Sequence, residues 1–420
     1  MGADGPVAGS LREILFAVEN AAPVDAVEAV TRQLGVSLEA TSVSFLVADL
    51  SGRALVRLSY IPLVGASDSR RHEEEVATVL PFDGGPPEQA VRSQRTQVHA
   101  GPNRDYVILA PVTERGEAIG VLEINLPAEP DEAMLEAASR GAHTLAFVVI
   151  AARRHTDLFE WGQRTTRFSL AAEIQRRLLP AAFTCEAAAF TLSAWLEPAA
   201  TIGGDTFDYS LARDTLHMSM TDAMGHGVDS ALLATLAVGS LRNTRRRGAS
   251  LAEQAAAANQ ALRDHAPGGF GFVTGILGRL DLPTGELSMV NAGHVRPLLI
   301  RDHIVEALDL PADLAFGIRQ PQTYRITEVT LQPGDRLVLL TDGMTERRAA
   351  ALELTASLLQ LAGTHPREAV RALGDAVLRV AGPTLADDAS LLVLDWYGGH
   401  GTQRTTHNGA DPARASDPIA

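Results

Sequence analysis

The chain has 420 residues, 46% of them hydrophobic, and a formal net charge of −15 at pH 7. A chain of this length and apolar content is expected to fold into two or three domains with substantial cores. Its acidic balance argues against a nucleic-acid partner, which requires a basic face. The single cysteine, Cys185, excludes an internal disulfide. Because no leader and no apolar run of about 18 residues is found, we expect a bacterial-type cytoplasmic protein without a membrane span.

All 36 basic residues are arginine, since the sequence contains no lysine. Codon usage in a GC-rich genome is a sufficient cause, but the chemical consequence is the same whatever the cause. The chain has no lysine for a P-loop, for a kinase strand or for a Schiff base. Any phosphate chemistry is therefore expected to depend on metal ions.

The two ends and the first module can be separated by composition. Residues 1–10 and 398–420 are rich in Gly, Pro and polar residues without periodicity, and we expect both to be disordered. Within residues 11–150, two helix-like stretches, Leu11 to Asn20 and Asp25 to Leu34, precede short β-type runs. The last two runs are joined by a Glu-Arg-Gly-Glu segment, which predicts a hairpin. This region is expected to form a small module of helices and strands.

From about Asp131 to Leu178 the spacing of apolar and small residues by three and four predicts helix. The stripe consists of Ala138, Ala142, Leu145, Val149 and Ala152. Such spacing suits a helix that pairs with a copy of itself, but equally one that packs on its own domain. We assign residues 151–180 to a helical linker, a candidate for homodimer formation, which ends at Pro180.

The second module, residues 181–397, contains seven β-type runs and three helix-like segments. Many strands with few intervening helices argue against a doubly wound parallel sheet. The pattern favours packed antiparallel sheets with helices outside them.

Four segments of this module place an aspartate at the edge of an apolar run. They read ATIGGDTFDYS, HMSMTDAMGHG, RLVLLTDGMTE and LADDASLLVLDW, and they supply Asp205, Asp208, Asp222, Asp342, Asp387 and Asp388. One Asp beside Gly is a common turn signal. Carboxylates gathered from four strand ends, however, would repel one another unless cations lay among them. The glycines at 203, 204, 225 and 343 are expected to let the backbone approach metals or phosphate without a Cβ in the way.

Carboxylate ligands, with no Cys pair and no His-x-x-x-His, favour Mg²⁺ or Mn²⁺ over zinc. Two such ions about 3.5–4 Å apart can orient and deprotonate a water for in-line attack and neutralise phosphoryl charge. The sequence therefore predicts that these strands end at a metal site, which two ions could share.

The order of motifs over residues 173–390 is also specific. The segments EIQRRLLP, EPAATIGGDTFD, DAMGHGVDSALL, NAGHVRP, TDGMTE and DDAS closely resemble the metal-dependent PPM (protein phosphatase 2C-like) family, in its branch similar to stage II sporulation protein E. The resemblance implies an α+β chain with an αββα two-sheet sandwich and hydrolysis of phosphoserine or phosphothreonine on a protein, using two Mn²⁺ or Mg²⁺ ions. It implies metal ligands at Asp205, Asp222, Asp342 and Asp388, with the Ala223 carbonyl as a further ligand. It suggests a phosphorylated anti-sigma-factor antagonist as substrate.

Other residues near these motifs have weaker assignments. His226 lies where a general acid for the leaving serine oxygen is expected, and imidazole suits that role; packing at the start of the next helix is the alternative. Asp208 and Glu346 are candidates to hold metal-bound waters or the metal-bearing loops. Asn291 and His294 are expected to shape a loop near the site rather than to contact phosphate.

The first module, through its paired strands and the segments FDGGPPEQAVRSQRTQVHA and APVTERGEAIGVLEINL, resembles a GAF sensor domain. The resemblance implies a pocket for a small-molecule ligand, and a ligand-free dimerisation module is the alternative. His72, His99 and His143 are expected to be surface or structural residues rather than haem ligands. Sensor, helix and phosphatase in this order suggest that the helix ending at Leu178 biases the phosphatase between two packings.

Two further functions compete with the phosphatase. The segment IGGDTFD resembles the Gly-Gly-Asp-Glu-Phe loop of diguanylate cyclases, but it lacks the Glu, and a cyclase leaves TDGMTE and DDAS unexplained. A catalytically silent scaffold that binds a phosphoprotein is the second alternative. The intact aspartates argue against it.

Overall fold

The structure is a computed structural model of the chain. It describes residues 11–50, 52–63, 78–101, 105–164, 168–197, 203–266, 270–318, 322–344, 353–381, 385, 387–399 and 404–415. The chain divides into two compact units, Met1–Arg167 with Thr405–Ala420, and Phe168–Arg404. No helix within the described ranges is both long and apolar enough to cross a bilayer.

The first unit has one six-stranded antiparallel sheet in the order β3-β2-β1-β6-β5-β4. Its elements are α1 (Leu11–Asn20), α2 (Ala26–Ser37), β1 (Ser42–Ala48), β2 (Ala54–Pro62), β3 (Thr78–Pro81), α3 (Pro86–Ser93), β4 (Gln97–Ala100), β5 (Tyr106–Glu114), β6 (Glu117–Leu126), α4 (Glu132–Ala152) and α5 (Leu158–Gly162). Residues of α1, α2, α4 and α5 pack on one face of the sheet, and α3 packs on the other. The predicted hairpin is β5–β6, in which Arg115 and Gly116 both have positive φ.

The apolar stripe of α4 packs within its own unit. Its five members are 0–6% exposed and belong to the core formed with the sheet. Of the two predicted alternatives for this stripe, packing on its own domain is the one observed, and a homodimer through the linker of residues 151–180 stays a prediction.

The linker of residues 151–180 was predicted as one helix, and the structure divides it. Helix α4 ends at Ala152, and separate helices α5 and α6 (Leu170–Leu178) follow. The Thr156 hydroxyl accepts the Leu158 N–H (3.2 Å), and the Ser169 hydroxyl accepts the Ala172 N–H (3.1 Å). Such side-chain bonds start new helices and compete with a continuous one.

The expected disorder of the termini has two outcomes. Residues 1–10 lie outside the described residues. Residues 404–415 were expected to be disordered, but they have defined positions, and the part from Thr405 clusters with the first unit. The cause is a local turn, in which Asn408 and Gly409 have φ of 52° and 98° and His407 pairs with Ala410. Asn and Gly tolerate this left-handed backbone.

The second unit has two antiparallel sheets, in the orders β15-β12-β11-β10-β9 and β14-β13-β16-β17-β8-β7. Their strands are β7 (Thr184–Glu186), β8 (Phe190–Glu197), β9 (Thr206–Leu211), β10 (Thr215–Ala223), β11 (Val273–Asp281), β12 (Glu286–Ala292), β13 (Leu298–Arg301), β14 (Ile304–Ala307), β15 (Thr327–Thr330), β16 (Arg336–Leu340) and β17 (Ala389–Trp396). The helices are α6, α7 (Gly227–Arg246), α8 (Leu251–His265), α9 (Leu354–Gln360) and α10 (Pro366–Ala381).

Three buried clusters define the layers of this unit. Apolar residues on the facing sides of the two sheets, including Phe207, Met220 and Leu392, form the central core. On the outer side of the first sheet, α7 and α8 pack around Leu277 and its neighbours. On the outer side of the second sheet, α9 and α10 pack around β16 and β17. The predicted αββα sandwich and the α+β class are confirmed.

Candidate functional site

Four strand ends of the second unit carry aspartates to one edge of the sandwich. In the first sheet, β9 begins directly after Asp205 and β10 ends with Asp222 and Ala223. The two strands are antiparallel neighbours, so the start of one lies beside the end of the other. Because side chains alternate along β10, Asp222 shares the inward face with the core residue Met220.

The second sheet repeats this arrangement. Strand β16 ends at Leu340, and a short 3₁₀ turn (Asp342–Met344) follows. Its antiparallel neighbour β17 begins directly after Asp388. Topology alone therefore gathers the predicted aspartates from residues far apart in the chain.

Asp205 connects the two sheets. The residue is 2% exposed. The hydroxyls of Thr341 and Ser390, from the ends of β16 and β17, donate to its Oδ2 at 2.7 and 2.8 Å. The backbone N–H of Ser390 in turn donates to the Thr341 hydroxyl at 3.0 Å. Asp205 is thus held in a fixed orientation by side chains of the opposite sheet.

Asp388 is held from the other direction. Its Oδ2 accepts the Nε2 group of Gln175 (2.7 Å) and the backbone N–H groups of Gly204 (3.0 Å) and Asp205 (3.3 Å). The Gln175 amide also donates to the backbone carbonyl of Asp205 at 2.8 Å. Gln175 lies on α6 and is 2% exposed. Gln175 was not predicted as a site residue. The only signal for it in the sequence was a polar residue at a buried position of a helix.

The carboxylates lie close enough to change one another's ionisation. Burial, followed by the charges of Asp222 and Asp388, raises the pKa of Asp205 well above its ordinary value. Burial also raises the pKa of Asp222 to about 7, and the charges that add to this shift come from Asp342, Asp387 and Asp388. The pKa of Asp387 is raised chiefly by burial. Five carboxylates thus form one repulsive cluster, which a cation would relieve.

The cluster has the chemistry of a hard-cation site, with carboxylate oxygens and the neighbouring Ala223 carbonyl as donors. As the side chains lie, no three His, Cys, Asp or Glu residues of the described ranges surround a common point as an ion's ligands would. Asp205 and Asp388 are buried, Asp222 and Asp387 are half-buried, and Asp342 is exposed. Asp205 and Asp388 are held in place by their hydrogen bonds. The other three aspartates are partly or fully accessible to solvent, from which an ion and a phosphate would come.

The glycines of the motifs have a role that differs from the predicted one. A Cβ on Gly204 would lie 2.7 Å from the Ala223 carbonyl oxygen, and a Cβ on Gly343 would lie 2.0 Å from the Asp388 carbonyl oxygen. Both glycines therefore let neighbouring strand ends approach each other. For Gly225, which has a φ of +89° and nothing within 4 Å of a Cβ, the backbone conformation is the reason.

Asp208 does not face the cluster. Its Oδ1 lies 2.8 Å from Nη2 of Arg242, and its Oδ2 lies 2.9 Å from Nη1 of Arg245. Both arginines belong to α7, so Asp208 attaches β9 to that helix on the outer side of the sheet. Its predicted role as a holder of metal-bound water is not supported by these contacts, because both carboxylate oxygens are paired with arginine.

The remaining residues predicted near the site are His226, Glu346, Asn291 and His294. His226 immediately precedes α7 and is exposed, so it does not pack at the helix start. Glu346 lies outside the described residues. The Asn291 side chain accepts the His294 N–H (2.8 Å) and donates to the His294 carbonyl (3.1 Å), and both residues are buried. This pair shapes the loop after β12, as predicted.

Comparisons with known proteins agree with the order of the motifs. The family model for stage II sporulation protein E (SpoIIE) matches residues 212–397. Phosphoserine phosphatase RsbU of Bacillus subtilis is 24% identical over 235 residues, which are 54% of this chain and 70% of that protein. Protein IcfG of Synechocystis is 24% identical over 208 residues, which are 43% of this chain and 33% of that protein.

Among solved structures, the RsbU and RsbW domains of Rv1364c from Mycobacterium tuberculosis are 23% identical, with a TM-score of 0.44, 52% of this chain covered and 63% of that chain. The family match, the relative and the observed two-sheet sandwich point to one class of enzyme. Residues 212–397 match the SpoIIE family model, and this match together with the relative supports a PP2C-like protein phosphatase.

Proposed function

We propose that the chain is a metal-dependent protein serine/threonine phosphatase that removes phosphate from a regulatory protein in the bacterial cytoplasm. The observation that carries this proposal is the convergence of Asp205, Asp222, Asp342 and Asp388 at one edge of the sandwich, where burial and the neighbouring carboxylates raise the pKa values of Asp205 and Asp222. Carboxylates arranged in this way are suited to two divalent cations, Mn²⁺ or Mg²⁺.

In this proposal the four aspartates and the Ala223 carbonyl hold the ions. When bound, the ions supply an activated water and neutralise phosphoryl charge. Asp205 and Asp388 are fixed by the bonds from Thr341, Ser390 and Gln175, so they present their ligand oxygens with little reorganisation. His226, which is exposed and follows Asp222 by four residues, donates the proton that the leaving serine or threonine oxygen requires.

For the substrate we propose a phosphorylated anti-sigma-factor antagonist. The support is the similarity to a protein named phosphoserine phosphatase RsbU and to the SpoIIE family. The exposed position of Asp342 suits a phosphorylated side chain on a protein surface, because such a group must reach the ions from solvent. We further propose that the first unit, which resembles a GAF domain, regulates this activity.

The test is phosphate release from phosphorylated antagonist proteins of the same genome. EDTA is expected to abolish release, and Mn²⁺ is expected to restore it. Asp222→Asn and Asp342→Asn are each expected to reduce turnover at least 100-fold, because each removes a ligand charge. The matched control is Asp281→Asn, since Asp281 ends β11 at the opposite end of the same sheet. Wild-type rates in both site variants, or no release under any condition, would favour a silent scaffold instead.

A further inference from the structure

The C-terminal segment binds to the first unit, although it follows the last strand of the second. Residues 405–415, here called the clasp, cluster with the first unit. The carbonyl of Gly409 accepts the N–H of Gly116, in the β5–β6 turn, at 3.0 Å. The Asn408 amide donates to the hydroxyl of Ser139 on α4. The clasp thus contacts a hairpin turn and a helix that precede it by about 270 residues or more in the sequence.

The fit at Gly409 is specific for glycine. Its φ is +98°, and a Cβ at this position would lie 2.1 Å from the backbone oxygen of Thr113 and 2.8 Å from Nδ1 of His143. Since Nδ1 of His143 also lies 2.9 Å from the Thr113 oxygen, the turn fits against an ordered pair of groups. Any larger residue at 409 would displace the clasp from β5.

The clasp also forms one wall of a cavity within the first unit. The cavity has a volume of about 800 Å³ and lies between the segment before β4, the first turns of α4 and the clasp. The clasp residues that line it are His407, Asn408, Ala410, Pro412 and Ala415. This volume is in the range of small-molecule sites.

The attachment of the clasp has little hydrophobic content. Between 404 and 415 the buried residues are Gly409, Ala410 and Asp411. The ion pair between His407 Nε2 and Glu136 Oε2 is long, at 3.5 Å, and both side chains are substantially exposed. Exposed ion pairs of this kind contribute little to the free energy that holds a segment in place. Segments that bury little apolar surface are those that detach in local opening, while the rest of a domain stays folded.

We propose that residues 405–415 are a releasable clasp, an intramolecular ligand of the first unit whose docking closes one side of its cavity. A molecule in the cavity would contact the clasp wall. Its binding and the docking of the clasp are therefore linked, each changing the equilibrium of the other by the same factor. The Asn408–Gly409 turn is the recognition element, and the β5–β6 turn with α4 is its binding surface.

The Gly116 N–H reports directly on docking, since its acceptor is the clasp carbonyl of Gly409. Hydrogen exchange at this amide is expected to be at least about tenfold faster in Gly409→Ala than in the wild type. The matched control is Gly84→Ala in the same unit, where φ is +82° but nothing lies within 4 Å of a Cβ. Unchanged exchange at Gly116 in Gly409→Ala would overturn the proposal.

A chain that ends at Arg404 tests the same point without a substitution. It is expected to accelerate exchange at Gly116 as Gly409→Ala does, while the buried amide of Leu122 in β6 stays protected. Faster exchange at Leu122 as well would show that the segment is an integral part of the fold, not a releasable clasp. Protection of Gly116 that falls on dilution would place the clasp on a second copy and would equally refute the intramolecular assignment.

Discussion

Gln175 connects the helix before the sandwich to two of the site's aspartates, so its removal tests the geometry closely. Its Nε2 donates to the Asp388 carboxylate at 2.7 Å and to the Asp205 carbonyl at 2.8 Å. The substitution Gln175→Ala deletes both bonds. Asp388 Oδ2 keeps its two backbone donors at 3.0 and 3.3 Å, so the carboxylate is not left without partners.

The expected magnitude follows from these bonds. A hydrogen bond to a charged group contributes about 1.5–3 kcal/mol, and one to a neutral carbonyl contributes about 0.5–1.5 kcal/mol. The free energy of unfolding of the second unit should therefore fall by about 2–4.5 kcal/mol. Because a partner that orients a ligand is removed, the Mn²⁺ affinity or the turnover should fall about 10- to 100-fold.

The assay is urea unfolding followed by fluorescence, for which Trp195 and Trp396 lie in the second unit, together with an Mn²⁺ titration of phosphatase activity. Gln254→Ala is the matched control, because Gln254 is 4% exposed on α8 and its Nε2 donates at 2.8 Å to a backbone carbonyl, that of Ala249. The control should lose about 1 kcal/mol and retain its Mn²⁺ requirement. If the two variants behaved alike in both measurements, Gln175 would be an ordinary buried amide and the reasoning would fail.

Three further predictions concern the second unit. Gly343→Ala should reduce activity strongly, since its Cβ would lie 2.0 Å from the Asp388 carbonyl oxygen, whereas Gly363→Ala, with open space around the Cβ, should not; phosphate release decides. Asp208→Asn should destabilise the unit by about 3–5 kcal/mol, measured by urea unfolding, because two arginines lose a buried partner, while the folded fraction keeps its turnover. Burial lowers the pKa of His365 to about 4, so the unfolded chain binds this proton first as the pH falls. The free energy of unfolding should therefore decrease by roughly 3 kcal/mol between about pH 6.5 and pH 4. His365→Asn should remove this part of the pH dependence, as measured by acid unfolding.

The layers of the second unit could be predicted because its strands alternate and its turns are marked by Gly and Asp. An apolar run that stops at a carboxylate indicates where a strand ends, and antiparallel pairing brings such ends together. Asp205 and Asp222 were assigned to one site for this reason, and the charge of Asp222 contributes to the raised pKa of Asp205. The hydrogen bonds that hold Asp205 were not predictable, since the hydroxyls of Thr341 and Ser390 have no distinctive local pattern.

Three features show that a sequence pattern does not identify the partner of a buried or charged group. The stripe on α4 was compatible with a second copy or with its own sheet, and the sheet covers it. Asp208 has the spacing of a site residue, but the arginines 34 and 37 residues later pair with it. The C-terminal segment has the composition of a disordered tail, yet one Asn-Gly turn that fits the β5–β6 hairpin is enough to fix it.

The site combines two buried, hydrogen-bonded carboxylates, Asp205 and Asp388, with the exposed carboxylate of Asp342. Asp205 and Asp388 are buried and hydrogen-bonded from three directions, and such fixing of repelling carboxylates is unfavourable for the fold by itself. An arrangement of this kind persists where function requires it, since ordinary turns place their aspartates in solvent. The neighbouring hydroxyls and amide donate to carboxylate oxygens and so favour the ionised form, which is the form that a divalent cation binds. The same bonds thus reduce the electrostatic penalty of the cluster and prepare its oxygens for metal.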